Sequence, residues 1–258
     1  MSMECKNCDT PQRTDFNYCP NCGAKVIRNR LTIKNLWYDV TERYFNLDNT
    51  FIKTFVHLFT KPEVVIDSYI SGIRRKYLNP ISYLGIALTL SGAFLFLLRK
   101  FGFDKIDFGS ISSSMRPEVA KKIMTVSLDF SSFVFLLYIP ILAISGFLLF
   151  NKRAYNLTEY VIVAIYSLAH YSIVTFPISL IILFTMPQDY LSFSYYFILL
   201  MALFATYVVN RLNGRNIIRS ILFLLLYGFG FLAVGILINV ILLLTGVLSF
   251  EDYMPVKP

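Results

Sequence analysis

Residues 160–186 read YVIVAIYSLAHYSIVTFPISLIILFTM, a run of 27 residues without an aspartate, glutamate, lysine or arginine. A bilayer core of about 30 Å is crossed by roughly 20 helical residues. Four further blocks of the chain are also free of charge and similarly long: residues 80–98, 130–150, 191–209 and 220–248. The sequence therefore predicts an all-α integral membrane protein with about five transmembrane helices.

The composition of the chain supports this class. Hydrophobic residues make up 56% of the 258 residues and charged residues only 16%, against about 25% charged in a soluble domain. The mean hydropathy of +0.59 excludes an ordinary soluble globule. Lys and Arg number 24 against 16 Asp and Glu, which gives a net charge of +8. This excess of positive charge predicts contact with anionic phospholipid head groups.

The distribution of basic residues predicts the orientation. Residues 1–30 carry cysteines and charges where a secretory signal needs an apolar run, so the N-terminus is expected in the cytosol. Five crossings then place 17 of the 24 basic residues inside and the C-terminus on the periplasmic or extracellular side. The fourth block is among the shortest, and a re-entrant path for it would return the C-terminus to the inside. The fifth block is long enough to tilt or to continue past the interface.

The most specific chemistry lies in residues 1–24, where two C-x2-C pairs supply four thiols: Cys5, Cys8, Cys19 and Cys22. Two such pairs provide the tetrahedral four-thiolate set that Zn2+ prefers. Four cysteine ligands leave no coordination position open, so residues 1–24 are predicted to be a zinc ribbon with a structural ion. Disulfides fit a cytosolic head poorly, a redox C-x-x-C expects a βαβ unit, and a [4Fe–4S] cluster usually has other spacings.

Each cysteine pair is followed by a residue that suits a left-handed backbone turn. Gly23 follows the second pair and permits a positive φ, which a β-carbon resists. Asp9 follows the first pair and is a poorer but tolerated occupant of that region. Two equivalent turns are therefore expected around the metal.

Residues 25–79 are predicted to be a basic linker followed by amphipathic interfacial helices. One helix is expected from Thr32, with the apolar stripe Ile33, Leu36, Trp37, Val40 and Tyr44. A second helix, capped by Asp48 or Asn49, has the apolar face Phe51, Ile52, Phe55, Leu58 and Phe59. A third begins at Pro62, runs to residue 70 and stops at Gly72. These segments suit the membrane interface, and the alternative is that they pack on one another as a small soluble domain.

The long loop, residues 99–129, has two expected states. A helix lying on the outer leaflet would use an apolar stripe beside Lys121 and Lys122, formed by Val119, Ile123, Met124 and Val126. The other state is a solvated loop that is disordered around the serine-rich residues 109–114.

Ionisable groups are almost absent from the predicted membrane interior. The lack of Asp, Glu, Lys and Arg in the five blocks disfavours carboxylate-coupled transport. His170 lies near the middle of the third block, with Tyr166, Ser167 and Tyr171 beside it. Two roles stay open for His170: a hydrogen bond to a neighbouring helix, or proton movement or ligand contact.

Two further features concern packing of the predicted spans. Pro140 and Pro177 each free a backbone carbonyl and can kink a helix, which makes room for a cavity. Gly85, Thr89 and Gly92 form a small-residue stripe on the first span. Such a stripe is typical of a helix-packing face, within the bundle or in a dimer, and the oligomeric state stays open.

Motifs of soluble enzymes are not found in the sequence, which contains no G-x-S-x-G, H-E-x-x-H, P-loop or G-x-G-x-x-G pattern. We therefore predict no catalytic and no cofactor-binding residues, and a protein that is not an enzyme. The other histidine, His57, is predicted to be a solvated surface residue near Lys53. Some zinc ribbons bind nucleic acid, but the basic residues of this head are equally expected beside anionic lipid, which disfavours nucleic acid as a partner.

One stretch between the head and the first span has a specific pattern, consisting of Lys61-Pro62, Val65-Ile66, Tyr69-Ile70, Gly72, Arg74-Arg75, Tyr77 and Asn79-Pro80. Together with the four-cysteine head, this order of features resembles a bacterial family of zinc-ribbon-headed, multi-pass membrane proteins of unknown function. The resemblance implies a bacterial inner (cytoplasmic) membrane location and supplies no activity. The five-span plan is also similar, in topology alone, to Yip1-type membrane-organising proteins.

The sequence as a whole favours a non-enzymatic inner-membrane protein. Its zinc head and basic amphipathic helices would form a cytosolic platform for a protein partner or for anionic phospholipid. The alternative is a transporter or channel for an uncharged or amphipathic solute, with a path shaped by the proline kinks and His170.

Overall fold

The computed structural model describes residues 2–24, 26, 47–107, 117–129 and 131–249. The chain divides into two compact units, Met1–Asn46 and Leu47–Pro258. The helix predicted from Thr32 and the serine-rich residues 109–114 lie outside the described residues.

The first unit is a small β-hairpin with two cysteine turns. Strands β1 (Ser2–Glu4) and β2 (Pro11–Arg13) pair antiparallel, with Met3 opposite Gln12. A two-stranded hairpin of this size is marginally stable in water by itself. The unit therefore needs an additional constraint, and small domains often take that constraint from a metal ion.

The second unit is helical. Its helices are α1 (Leu47–Thr60), α2 (Pro62–Ile70), α3 (Pro80–Leu97), α4 (Pro117–Asp129), α5 (Ser131–Phe150), α6 (Leu157–Thr185), α7 (Tyr190–Asn213) and α8 (Ile217–Leu244). A π-helical turn (Leu98–Gly102) and a 3-10 turn (Phe103–Lys105) follow α3, and a further 3-10 turn (Pro187–Asp189) joins α6 to α7.

Asparagine caps mark the start of three of the long helices. The side chains of Asn79, Asn156 and Asn216 accept hydrogen bonds from backbone N–H groups three residues later, at the starts of α3, α6 and α8. Each cap satisfies one of the four N–H groups that a helix start leaves without an intrahelical partner. The apolar helices thus begin at defined positions.

Among the described residues, four segments are long and apolar enough to cross a membrane: Pro80–Lys105, Leu157–Thr185, Pro187–Asn213 and Ile217–Leu244. The third of these contains the fourth predicted block, which therefore has the length of a full crossing. α5 corresponds to the second predicted block and has 20 residues, of which Phe135–Phe150 form a shorter apolar helix. Four predicted spans are thus confirmed as helices of sufficient length, and a crossing by α5 stays a prediction.

The last helix ends earlier than the sequence suggested. α8 stops at Leu244, whereas the apolar block continues to Leu248. Gly246 has a φ of +71°, a conformation that terminates helices. The backbone N–H of Leu248 then donates to the carbonyl of Leu242 across 3.0 Å. The glycine, rather than the end of the hydrophobic run, sets this boundary.

Helix α6 lies at the centre of the second unit and contacts α3, α5 and α7, while α8 packs against α5 and α7. The buried side of α6 includes Tyr166, Leu168, Ala169 and His170, all with no exposed surface. α8 instead exposes many large apolar side chains, for example Leu225 at 66%. An apolar surface of this extent suits lipid better than water.

Helices α1 and α2 form a pair that packs on the bundle. Pro62 is the first residue of α2, and Gly72 follows its end with a φ of +89°, which confirms both predicted boundaries. The prediction that Asp48 or Asn49 caps α1 is wrong, because α1 includes Leu47 and both residues are helical. Leu58 of α1 and Ile66 of α2 are fully buried in the main hydrophobic core, so the pair does not form a separate soluble domain.

The long loop contains the helix that was one of its two expected states. Val119 of α4 is buried in a cluster with Leu242, in the last turn of α8, and Leu248, which follows that helix. Met124 and Leu128 pack on a second cluster that includes Leu98. α4 therefore has a packed apolar side and is part of this end of the bundle.

The small-residue stripe of α3 does not pack within the described bundle. Gly85, Thr89 and Gly92 are exposed, and a β-carbon at either glycine would meet no described atom within 4 Å. Of the two predicted uses of this stripe, packing within the bundle is thus not found among the described residues, and packing in a dimer stays a prediction. The neighbours of α3 lie on its other side, where Tyr83 and Ala87 are fully buried.

Candidate metal centre and interfacial helix pair

The four cysteine sulfurs form one compact cluster. Sγ of Cys5 lies 3.6 Å from Sγ of Cys22, and Sγ of Cys8 lies 3.7 Å from Sγ of Cys19. All four sulfurs lie within 4.8 Å of one another. A tetrahedral metal with Zn–S bonds of about 2.3 Å separates its sulfur ligands by about 3.8 Å. The cluster therefore has the spacing of a four-thiolate metal site.

Two equivalent backbone turns position the sulfurs. In the first, Asp9 N–H donates to the Cys5 carbonyl at 2.8 Å; in the second, Gly23 N–H donates to the Cys19 carbonyl at 2.9 Å. Asp9 has a φ of +56° and Gly23 a φ of +73°. Both predicted left-handed positions are thus confirmed. The two turns have the same backbone geometry although one has aspartate and the other has glycine at this position.

Polar neighbours favour the thiolate form of two of the four cysteines. Oγ1 of Thr10 lies 3.3 Å from Sγ of Cys8, and the side-chain amide of Asn21 donates to Thr10 at 2.9 Å. Hydrogen bonds from the Thr10 side chain and backbone lower the pKa of Cys8 to about 6. The backbone hydrogen bond from Ala24 lowers the pKa of Cys22. These bonds favour the metal-ligating form of Cys8 and Cys22, whereas burial and the neighbouring Cys19 and Cys22 side chains raise the pKa of Cys5 to about 11.

Helix α1 presents three different sides. Its buried side carries Thr54 and Leu58, both with no exposed surface. A second side is apolar but exposed, with exposures of 58%, 48% and 42% for Ile52, Val56 and Phe59. The third side is polar and carries Lys53, His57 and Thr60. Three such sides are typical of an amphipathic helix at a membrane interface, where one side contacts protein, one contacts lipid and one contacts water.

The turn between α2 and α3 extends the polar side. Residues 71–76, here called the basic turn, are exposed throughout and include Arg74, Arg75 and Lys76. No carboxylate of the described residues lies within 4 Å of these three cations. Arg74 instead stacks over the Tyr69 ring, 5.7 Å from its centroid. The turn is therefore a concentrated positive charge that has no acidic partner among the described residues.

Tyr77 links the basic turn to the polar side of α1. Nζ of Lys53 and Nζ of Lys76 lie 5.6 Å and 5.5 Å from its ring centroid. Its hydroxyl lies 2.7 Å from Nδ1 of His57, and burial raises the pKa of Tyr77. His57 is thus half-buried and hydrogen-bonded to Tyr77, and it is less solvated than the sequence predicts.

The acids of α2 are neutralised by the bundle. Glu63 accepts a bidentate pair of hydrogen bonds from Arg211, at 2.7 Å and 3.1 Å. Asp67 accepts hydrogen bonds from Arg153 and from the hydroxyl of Tyr155. Burial and the bond to Asp67 raise the pKa of Tyr155 to about 12, so this phenol stays protonated and donates. These contacts hold α2 in place and leave the basic turn as the charged surface.

His170 is enclosed beneath α1. Its Nδ1 lies 2.7 Å from the hydroxyl of Tyr83 in α3. The rings of Phe55, Phe59 and Phe204 surround it, with centroids 5.1 Å, 4.3 Å and 5.2 Å from the imidazole. Nε2 has no hydrogen-bond partner among the described residues, and the aromatic faces around it are weak acceptors for an N–H group.

This arrangement matches the first of the two predicted roles of His170, a hydrogen bond to a neighbouring helix. Its polar neighbours are also paired: Tyr166 donates to the Leu78 carbonyl at 2.7 Å, and Ser167 donates to the Val163 carbonyl at 2.7 Å. Tyr171 donates to the carbonyl of Phe197. Aromatic rings from α1 and α7 pack against the imidazole. His170 therefore connects α1, α3, α6 and α7.

Sequence reasoning did not predict the contacts of Thr54 and Tyr83. Thr54 is fully buried in α1, where its hydroxyl donates to the Thr50 carbonyl at 2.6 Å and accepts from Leu78 N–H at 2.9 Å. The available signal was a threonine among aromatic residues on the buried side of an amphipathic helix. Tyr83 carried no comparable signal, because tyrosine is common near the ends of membrane helices.

The comparison with known proteins bears on this same region. Residues 48–92 match the family described as a protein of unknown function (DUF3667). The matched residues, here called the DUF3667 region, contain α1 from Asp48 onward, α2, the basic turn and the first part of α3. No curated protein and no solved structure matches the chain. The resemblance of the cysteine head to zinc-ribbon families stays a prediction, as does the Yip1-type topology.

Proposed function

We propose that this protein is a non-enzymatic, multi-pass protein of a bacterial inner membrane. Its DUF3667 region forms a platform on the cytosolic leaflet that binds anionic phospholipid, and its N-terminal head is a structural zinc module. The observation that carries the proposal is that this region exposes both the apolar side of α1 and the basic turn, whose three cations have no carboxylate partner among the described residues.

The apolar side of α1 supports insertion into the head-group region. Ile52, Val56 and Phe59 recur at i, i+4 and i+7, so they form one stripe along the helix. Ile81, at the start of α3, is also exposed, at 66%. Apolar side chains at this depth are stabilised by the boundary between head groups and acyl chains.

The charge of the basic turn supports a preference for anionic lipid. Since Arg211 and Arg153 already neutralise the acids of α2, phosphate groups are the partners that Arg74, Arg75 and Lys76 lack. Each basic residue near an anionic membrane surface contributes about 1 kcal/mol. Three such residues are sufficient for a strong selection of phosphatidylglycerol over phosphatidylcholine.

The head is assigned a structural Zn2+ held by Cys5, Cys8, Cys19 and Cys22. Four thiolates close the tetrahedral coordination sphere, so the ion would fold the hairpin and leave no position for a substrate. A folded head of this kind can recruit a cytosolic protein partner. Cross-linked membranes from wild type and from Cys19→Ser test that part, because recruitment must weaken when the head cannot hold zinc.

The experiment for the platform compares lipid preference in nanodiscs. The triple variant Arg74→Gln, Arg75→Gln and Lys76→Gln is measured with fluorescent phosphatidylglycerol against phosphatidylcholine. We expect the preference for phosphatidylglycerol to fall about tenfold or more, since each lost charge removes about 1 kcal/mol. The matched control removes three lysines at the other end of α3 and in α4: Lys100→Gln, Lys121→Gln and Lys122→Gln. An equal change in both triple variants, or no change in either, would contradict the proposal.

A further inference from the structure

A second surface of the bundle, which contains none of the residues of the basic turn, has the features of a binding site. A cleft of about 210 Å3 lies between α3, the first turns of α5, the second half of α6 and the start of α7. Its polar lining consists of five hydroxyl groups, those of Ser91, Ser172, Thr175, Ser179 and Tyr190. None of its lining residues is acidic or basic.

Two of these hydroxyls lack partners. Ser179 is only 8% exposed, and among the residues that the structure describes neither Ser179 nor Tyr190 has a hydrogen-bond partner for its hydroxyl. By contrast, Ser91 and Ser172 lie 2.8 Å apart, and Thr175 donates to the Tyr171 carbonyl at 3.0 Å. Neither oxygen is fully enclosed by the protein, so the cleft presents two hydroxyls with which a ligand can form hydrogen bonds.

The remaining lining of the cleft is apolar. It is formed by Leu88, Phe94, Leu95, Phe135 and Phe176. Most lining residues are half-buried, so the cleft opens to the outside of the bundle between membrane-spanning segments. A ligand can therefore place a polar group against the hydroxyls and leave its hydrocarbon chains along the apolar walls and in the bilayer.

The size and charge of the cleft limit the ligand. The volume equals that of about seven water molecules in the liquid and is smaller than a pocket for a drug-sized molecule. It holds a glycerol-sized group and not a whole lipid. A phosphate would be buried without a cation, because no lysine or arginine lines the cleft, and that burial is costly.

We propose that this cleft binds the head of a neutral, hydroxyl-bearing glycerolipid of the diacylglycerol class. The free hydroxyl of diacylglycerol can donate to and accept from serine and tyrosine hydroxyls, and its ester carbonyls can accept from the same groups. The site is separate from the basic turn and does not depend on the anionic-lipid platform.

Photolabelling of the full chain in nanodiscs tests the proposal. The probe is a diacylglycerol with a diazirine on one acyl chain near the ester. We expect saturable labelling of peptides from α3 and α6, displaced by unlabelled diacylglycerol. Phosphatidic acid adds a charge and triacylglycerol removes the hydroxyl, so each should compete at least about tenfold less well. Labelling that does not saturate, or equal competition by phosphatidic acid or triacylglycerol, would overturn the proposal.

Variants of α6 test whether the labelled site is this cleft. Ser179→Ala removes one unpartnered hydroxyl and should weaken labelling about threefold to tenfold, the effect of one hydrogen bond. Ser172→Leu fills the cleft and should abolish saturable labelling. The control is Thr185→Val, which removes an exposed hydroxyl of the same helix outside the cleft, and it should leave labelling unchanged. Ser179→Ala must retain the wild-type elution profile, and wild-type labelling in this folded variant would overturn the assignment.

Discussion

The hydroxyl of Tyr83 lies 2.7 Å from Nδ1 of His170, although the two residues are 87 positions apart in the chain. Tyr83 belongs to the DUF3667 region, and His170 belongs to the central helix α6. The contact therefore joins the first long apolar helix, α3, to the central helix α6 at a buried point. A neutral imidazole that accepts from Tyr83 at Nδ1 carries its proton on Nε2, which faces the aromatic rings of α1 and α7.

The first prediction concerns this pair. Tyr83→Phe removes the donor and leaves a buried nitrogen without a partner, which costs about 1–3 kcal/mol. We expect a lower Tm of the detergent-solubilised protein, measured by loss of the monodisperse elution peak on heating. Tyr195→Phe is the control, because Tyr195 is 60% exposed, and its Tm should match wild type.

A double variant tests whether the loss of stability comes from the unpaired nitrogen. His170→Leu in the Tyr83→Phe background removes both polar partners, and an apolar pair in a buried site is less costly than one unpaired group. We expect the double variant to be more stable than Tyr83→Phe alone. If the stability loss of the double variant equals the sum of the losses of Tyr83→Phe and His170→Leu, the contact contributes no coupling energy to stability.

The second prediction concerns the metal. Purified full-length protein should contain about one zinc ion per chain, measured by elemental analysis. Cys19→Ser should lose the ion under a chelator wash that wild type survives. Thr10→Val should keep the ion but bind it about 10–100-fold more weakly, because Thr10 bonds Cys8 and not the metal. Retention of full zinc affinity by Cys19→Ser would contradict a four-thiolate site.

The third prediction concerns helix packing. An added β-carbon at Gly146 would lie 2.8 Å and 2.9 Å from two ring carbons of Tyr160. Tyr160 is only 1% exposed, so its ring has little room to move. Gly146→Ala should therefore destabilise the bundle by about 1–3 kcal/mol. Gly85→Ala is the matched control, since its new β-carbon meets no described atom within 4 Å, and a Tm equal for both variants would refute the packing account.

The fourth prediction concerns the anchor of α2. Asp67→Asn removes the charge that accepts from Arg153 and Tyr155. Both partners are partly exposed, so we expect a stability loss of only about 1 kcal/mol. Protease cleavage at the basic turn should become faster as α2 loosens, as seen by N-terminal sequencing of the fragments. Unchanged cleavage would mean that the apolar core of α2 holds it without this anchor.

Local rules accounted for much of the fold. Pro62 and Gly72 bound α2 because proline suits a helix start and glycine a helix end. Asp9 and Gly23 occupy left-handed backbone where the cysteine spacing placed them. Uncharged blocks located the long helices because a spanning helix tolerates few charges.

Long-range contacts accounted for what sequence reasoning missed. Gly85 and Gly92 are exposed because α6 packs on the other side of α3. A pattern of small residues does not show which side of a helix its neighbour will contact. His57 was assigned to solvent because its own helix is polar there, but Tyr77 reaches it from 20 positions away. The partner of His170 likewise required knowledge of which helices are neighbours.

The central claim is that the basic turn lies on the cytosolic leaflet, at one end of a five-span bundle. A membrane-impermeant maleimide applied to intact cells tests it through single cysteines at exposed positions: Arg75→Cys, Lys122→Cys and Arg215→Cys. The wild type supplies the background from the four cysteines of the head. We predict labelling of Lys122→Cys alone, and labelling of the other two only after the membrane is opened. Labelling of Arg75→Cys in intact cells would contradict the cytosolic platform, and labelling of Arg215→Cys there would contradict five spans.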